Sequence, residues 1–101
     1  MMIEWSPLAL ERAGGIAGYI ALDKPSAAES WLDGLFESVE RLEPHPMSGR
    51  IVLEVNIERI REIIYGAYRV IYRVDTQVQK ISVLTVLRGS ELIRADESSI
   101  K

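Results

Sequence analysis

The run Arg61-Glu62-Ile63-Ile64-Tyr65-Gly66-Ala67-Tyr68-Arg69-Val70-Ile71-Tyr72-Arg73-Val74 most constrains what this chain can become. A helix has no use for a period of two, whereas a strand places alternate residues on opposite faces. From Tyr68 onward, Tyr68, Val70, Tyr72 and Val74 fall on one face and Arg69, Ile71 and Arg73 on the other. Gly66-Ala67 interrupts the run where a two-residue hairpin turn would sit. The stretch therefore predicts two antiparallel strands whose apolar face must be covered by something else.

The preceding sequence supplies the cover. Met2 to Trp5 reads as a brief first strand, and Ser6-Pro7 as an N-cap followed by proline at the first helical position. Ala9, Ala13, Ile16, Ala17 and Ile20 keep helical spacing, and Gly14-Gly15 within that helix suggests close packing on a neighbour. Asp23-Lys24-Pro25 ends the first helix and opens a second, whose stripe is Ala28, Leu32, Leu35, Val39 and Leu42, widened by Trp31 and Phe36. Glu43 to Gly49 is a loop by its prolines and glycine, with His45 exposed between Pro44 and Pro46.

Strand signals then run on. Ile51, Leu53 and Val55 alternate with Val52 and Glu54, and Lys80 to Leu87 is apolar on both faces, as an interior strand would be. The order is one strand, an antiparallel helical hairpin, then three or four strands joined by short turns. This predicts an α+β domain over residues 1–93, with the helices on one face of a mainly antiparallel sheet and a polar tail over 94–101.

Composition narrows the function classes. At 101 residues the chain has the size of one domain. It has no cysteine and one histidine, which leaves no disulfide framework, thiolate nucleophile or zinc cluster and predicts no metal or cofactor. No segment approaches the ~20 apolar residues of a membrane helix, and the first residues do not resemble a signal peptide. The expectation is a cytoplasmic protein without a membrane partner. The net charge of −3 argues against a general nucleic-acid binder and against specific DNA binding by this chain alone. Residues 1–49 carry eight acidic and three basic side chains, and residues 50–101 seven acidic and nine basic. The sheet half can thus offer a basic face despite the overall sign.

The order of elements and several residues resemble the RelE/ParE superfamily of toxins from bacterial toxin–antitoxin pairs. The resemblance is carried by Ile3-Glu4-Trp5-Ser6-Pro7 with Ala9, by Tyr19-Ile20-Ala21 followed by Pro25 and Ala27-Ala28, and by Pro46 with Gly49-Arg50. Its strongest piece is Arg61-Glu62 leading into Tyr68 to Val74, then Ile81 to Leu87. The sequence is more similar to the ParE branch, which implies inhibition of DNA gyrase and neutralisation by a cognate antitoxin. The RelE branch implies messenger RNA cleavage on the ribosome. There an arginine matching Arg69, and a basic residue approximately matching Arg88, would hold the scissile phosphate. The tyrosine expected after the last strand is absent from Ser90-Glu91-Leu92-Ile93, which weighs against cleavage. The ParE branch often ends that strand in histidine-glycine and arginines, where this chain has Leu87-Arg88-Gly89-Ser90-Glu91.

Three functions stay open at this level: a ParE-like gyrase inhibitor, a RelE-like ribonuclease using Arg69 and Arg88, and a non-toxic binding module. Arg50, Arg61, Arg69, Arg73 and Arg88 are the candidate contacts for a target or an antitoxin. The plain chemical alternative is an exposed sheet face on which Arg61, Arg69 and Arg73 pair with Glu54, Glu62 or Asp75.

Overall fold

Gly66 adopts φ +57° and closes a two-residue turn, so that Tyr65 faces Tyr68 and the hairpin zips back to Ile60 against Arg73. Around this hairpin the computed structural model describes residues 1–94. The elements in chain order are β1 (Met2–Trp5), α1 (Pro7–Asp23), α2 (Pro25–Glu40), a 3-10 turn at Pro46–Ser48, β2 (Arg50–Ile51), β3 (Ile60–Tyr65), β4 (Tyr68–Asp75) and β5 (Lys80–Arg88). The sheet order is β1-β5-β4-β3-β2, with β1 parallel to β5 and every other pair antiparallel. The expected α+β architecture is present. Of the expected tail over 94–101, all but Arg94 lies outside the described residues.

α1 starts where Ser6 accepts a hydrogen bond from the Ala9 N–H at 3.0 Å, with Pro7 in the first helical turn. The Ser6 hydroxyl also donates to the Leu84 carbonyl at 2.8 Å. That carbonyl belongs to a bulge, since Ile71 pairs with Thr85 and Tyr72 with Val83, so that the register shifts by one residue at Leu84. Arg12 donates to the Thr85 hydroxyl at 2.9 Å from the same helix. A break in the ladder thus becomes the attachment point of α1. Pro25 forces Lys24 into an extended conformation, φ −151°, and so separates α1 from α2.

Two apolar layers sandwich the sheet. On the helical side Ala9, Ala13, Leu35, Val39 and Leu42 meet Val70, Tyr72, Val74, Ile81 and Val83. Trp5 stacks edge-on against Phe36 with ring centres 4.9 Å apart. The Tyr72 phenol, pushed up by burial, donates to the Pro46 carbonyl at 2.8 Å and accepts from the Gly49 N–H at 3.0 Å. On the opposite side Val52, Ile60, Ile71, Leu84 and Leu87 cluster beneath Val55, Ile57 and Ile93.

That second layer departs from the sequence reading. Residues 51–55 do not form a strand beyond Ile51. The Asn56 N–H bonds back to the Val52 carbonyl at 2.8 Å, Asn56 takes φ +53°, and Leu53 is left exposed. The segment becomes a cap over the face that alternation alone would leave open. The close packing expected at Gly14-Gly15 is also absent, since a Cβ at either position would meet nothing within 4 Å. Close approach occurs at Gly34, where a Cβ would fall on the Tyr65 hydroxyl, and at Gly49, where it would meet the Tyr72 hydroxyl and the Glu62 carbonyl.

Candidate functional site

The five candidate arginines do not share one surface. Strand register decides where each goes, because residues directly opposite across a ladder point to the same face. Arg61 lies opposite the core residue Tyr72, and Arg88 lies opposite Tyr68, so both project on the helical side. Arg50 lies opposite Glu62, which lies opposite Ile71, so Arg50 is on the far side with Arg69 and Arg73. The structure brings Arg50 and Arg69 together and separates both from Arg88.

Arg69 is the centre of the far-side group, and it is 5% exposed. Its Nε donates to Glu62 Oε1 at 2.5 Å, Nη1 to Glu54 Oε2 at 2.7 Å and Nη2 to Glu54 Oε1 at 2.9 Å. Nη1 also donates to the Glu91 carbonyl at 2.7 Å. The hydrogen bond from Arg69 holds the Glu54 carboxyl down to about 2, and the two carboxylates push the guanidinium further up. Arg50 closes the chain of charges by donating to Glu62 Oε2 at 2.9 Å. Glu62 is 3% exposed and sits between the two arginines.

The pairing that residue chemistry suggested for Arg69 is therefore present, but it is enclosed instead of lying on an open face. The residues that enclose it come from two places. Glu54 belongs to the 52–57 cap, and Glu54 Oε2 also accepts from the Ile93 N–H at 3.2 Å. Glu91 turns the chain after β5, its carboxylate accepting from the Arg88 N–H at 3.0 Å. A carboxylate between Arg69 and solvent was the element least visible in sequence, because Glu54 reaches the site from a loop and not from a strand position. The cue available was that Glu54, Glu58 and Glu62 are the acidic residues of the segment leading into the hairpin.

The remaining candidates have different surroundings. Arg61 spans a corner, donating from Nε to the Glu58 carbonyl at 2.7 Å and from Nη1 to the Gly49 carbonyl at 3.1 Å. Arg73 lines two clefts on the far side, beside Asp75 in one and beside Lys80 and Ser82 in the other. Arg88 is exposed and lines a cleft of about 390 Å³ with Arg12, Gly15, Tyr19, Tyr68 and Glu91. Tyr19, on this cleft, and Leu22, beside it on the outer surface of α1, are exposed, and Leu10 is exposed on the opposite flank of the helix. His45 is exposed, as expected. Among the described residues no group of three or more histidines and carboxylates could hold a metal ion, and no helix is long and apolar enough to cross a membrane.

Comparison with known proteins now adds to this geometry. Comparison with curated protein sequences gives no match. In fold, the chain is similar to a chain of the chromosomal ParDE toxin–antitoxin system of P. aeruginosa, with a TM-score of 0.70 at 20% identity, covering 87% of this chain and 95% of that one. It is also similar to a chain of the toxin–antitoxin complex RelBE2 of Mycobacterium tuberculosis, with a TM-score of 0.55 at 18% identity, covering 86% and 95%. Residues 3–93 match the sequence profile of the family described as the ParE toxin of the type II toxin–antitoxin system parDE. By that match over nearly its whole length, the chain belongs to the ParE toxin family of type II toxin–antitoxin systems.

Proposed function

We propose that this toxin acts by binding and inhibiting DNA gyrase and is neutralised by a cognate antitoxin. One observation carries the choice against RNA cleavage. Arg69 and Arg88, the two cations a ribonuclease reading needs around one phosphate, project from opposite faces of the sheet. Arg69 moreover commits four hydrogen bonds to Glu54, Glu62 and the Glu91 carbonyl. A transition state can be stabilised only by charges aimed at the place where its own charge develops. Here the guanidinium is aimed at carboxylates. Arg69 reads as part of the scaffold, and Arg50, Arg61, Arg73 and Arg88 remain as contacts for a partner.

The partnership with an antitoxin is supported by the family and by the two similar folds, both from toxin–antitoxin systems. The surface that suits an amphipathic antitoxin segment is the outer side of α1. It exposes Tyr19 and Leu22, and it leads to Arg88 at the end of β5. An acidic tail ending near Arg88 would find a complementary charge there. Arg88→Glu is then expected to weaken antitoxin binding mainly through slower association.

Induced expression without the antitoxin tests the target. Growth arrest with an SOS response and loss of plasmid supercoiling is expected. Arrest with cut transcripts would replace this reading with the ribonuclease one, and normal growth would indicate a binding module without toxicity.

A further inference from the structure

Arg69 and Arg88 leave the sheet on opposite faces, yet one residue touches the surroundings of both. Glu91 accepts from Arg69 Nη1 through its backbone carbonyl at 2.7 Å. Its carboxylate accepts from the Arg88 N–H at 3.0 Å, and it lines the helical-side cleft with Arg12, Tyr19, Tyr68 and Arg88. The chain around it is fastened at few points. The Glu91 N–H bonds back to the Arg88 carbonyl at 3.0 Å, and the Ile93 N–H reaches Glu54 Oε2 at 3.2 Å. The Ile93 side chain packs on the apolar cluster of Ile71, Leu84 and Leu87. Residues 89–93 are thus a strap that runs from the cleft to the far face.

The cleft end is where charge is left over. Arg50, Arg61 and Arg69 spend their guanidinium groups within the protein. That of Arg88 is exposed and makes no hydrogen bond or ion pair among the described residues. Arg12, beside it, donates to the Thr85 hydroxyl. Among the described residues Glu91 is the one carboxylate on this cleft, and a backbone N–H holds it there. The chain's own carboxylate therefore occupies the place beside a guanidinium that has no partner.

We propose that an acidic segment of a partner, seated on Arg88, drives the Glu91 carboxylate out of the cleft and so loosens the strap on the far face. A second carboxylate beside Glu91 brings like-charge repulsion. One hydrogen bond from an exposed N–H does little to resist it. When Glu91 swings out, its carbonyl leaves Arg69 and Ile93 loses its hold on Glu54, which uncovers the apolar cluster beneath. Arg69 keeps Glu54 and Glu62, so the sheet itself stays intact. Coupling of this kind is reciprocal: whatever loosens the strap must tighten acidic binding by the same factor. The proposal rests on the reading of Arg88 as a partner contact and adds how that contact is regulated.

A capped hexaglutamate peptide, titrated into the whole chain at fixed ionic strength with hexaglutamine as the control, tests the proposal. Saturable shifts are expected at the Arg88 amide and, across the sheet, at the Ile93 amide, whose hydrogen-exchange protection should fall. Glu91→Gln is expected to bind the peptide about fivefold more tightly. Ile93→Ser alters only the far-face end of the strap and should also tighten binding, a change that a cleft acting alone would not feel. Arg88→Ala should abolish saturation. No saturable shift, or undiminished binding by Arg88→Ala, overturns the proposal together with Arg88 as a contact. Binding that leaves Ile93 protected, with Ile93→Ser at the parent affinity, overturns the strap and leaves the contact standing.

Discussion

Arg69 and Glu54 meet in a two-point pairing, Nη1 to Oε2 at 2.7 Å and Nη2 to Oε1 at 2.9 Å, while Glu62 takes Nε from the other side. The pair ties the 52–57 cap to β4, and through Ile93 and Glu91 it ties down the chain after β5. Removing Arg69 would leave Glu62 buried at 3% exposure, with only the largely exposed Arg50 beside it. Breaking a buried pair from one side costs about 3–5 kcal/mol. Arg69→Ala is expected to lose stability on that scale in urea unfolding. A loss of toxicity in this variant would then reflect folding, and a folded, stable but inactive Arg69→Ala protein would contradict its role as scaffold.

Glu54 gives the same network a pH signature. Its carboxyl is held at about 2 in the folded chain against an ordinary 4.5. A depressed carboxyl contributes stability that is complete above the unfolded value and is lost as pH falls through the folded one. Stability should therefore decline between pH 4.5 and about 2 with a component that Glu54→Gln lacks. Acid titrations of both proteins, followed by circular dichroism, check this. Parallel profiles would mean that Glu54 is not charge-coupled to folding.

Glycines separate close packing from bare surface. Alanine normally stabilises a helix relative to glycine by about 1 kcal/mol. Gly15→Ala should show that gain, since its Cβ meets nothing. Gly34→Ala should instead lose about 1–3 kcal/mol, because its Cβ collides with the Tyr65 hydroxyl that donates to the Trp31 carbonyl. Combining it with Tyr65→Phe removes the obstacle, so the double variant should cost less than the sum of the two single changes. Strict additivity in chemical unfolding would count against this contact.

Much of the architecture was legible because period and punctuation are local. The split of β4 into a tyrosine-valine face and an arginine face followed from alternation, and Gly66-Ala67 marked its turn. What alternation could not reveal was the cover on the arginine face. Ile51, Leu53 and Val55 alternate like strand residues, yet the segment turns back at Asn56, and Val52, Val55 and Ile57 shelter Ile71. Nor could it divide the arginines. Arg61, Arg69 and Arg88 look alike along the chain, and only the register of three strands sends one to the far side and two to the helical side. Gly14-Gly15 misled for a related reason, since spacing says that a glycine lies on a helix but not which way its missing side chain would have pointed.

The most direct test of the central claim is a supercoiling assay with purified gyrase, relaxed plasmid and this protein, run beside a ribosome-dependent messenger RNA cleavage assay. The expected result is dose-dependent loss of supercoiling, reversed by the cognate antitoxin, with intact messenger RNA. Full supercoiling at every dose, together with cut messenger RNA, would contradict it.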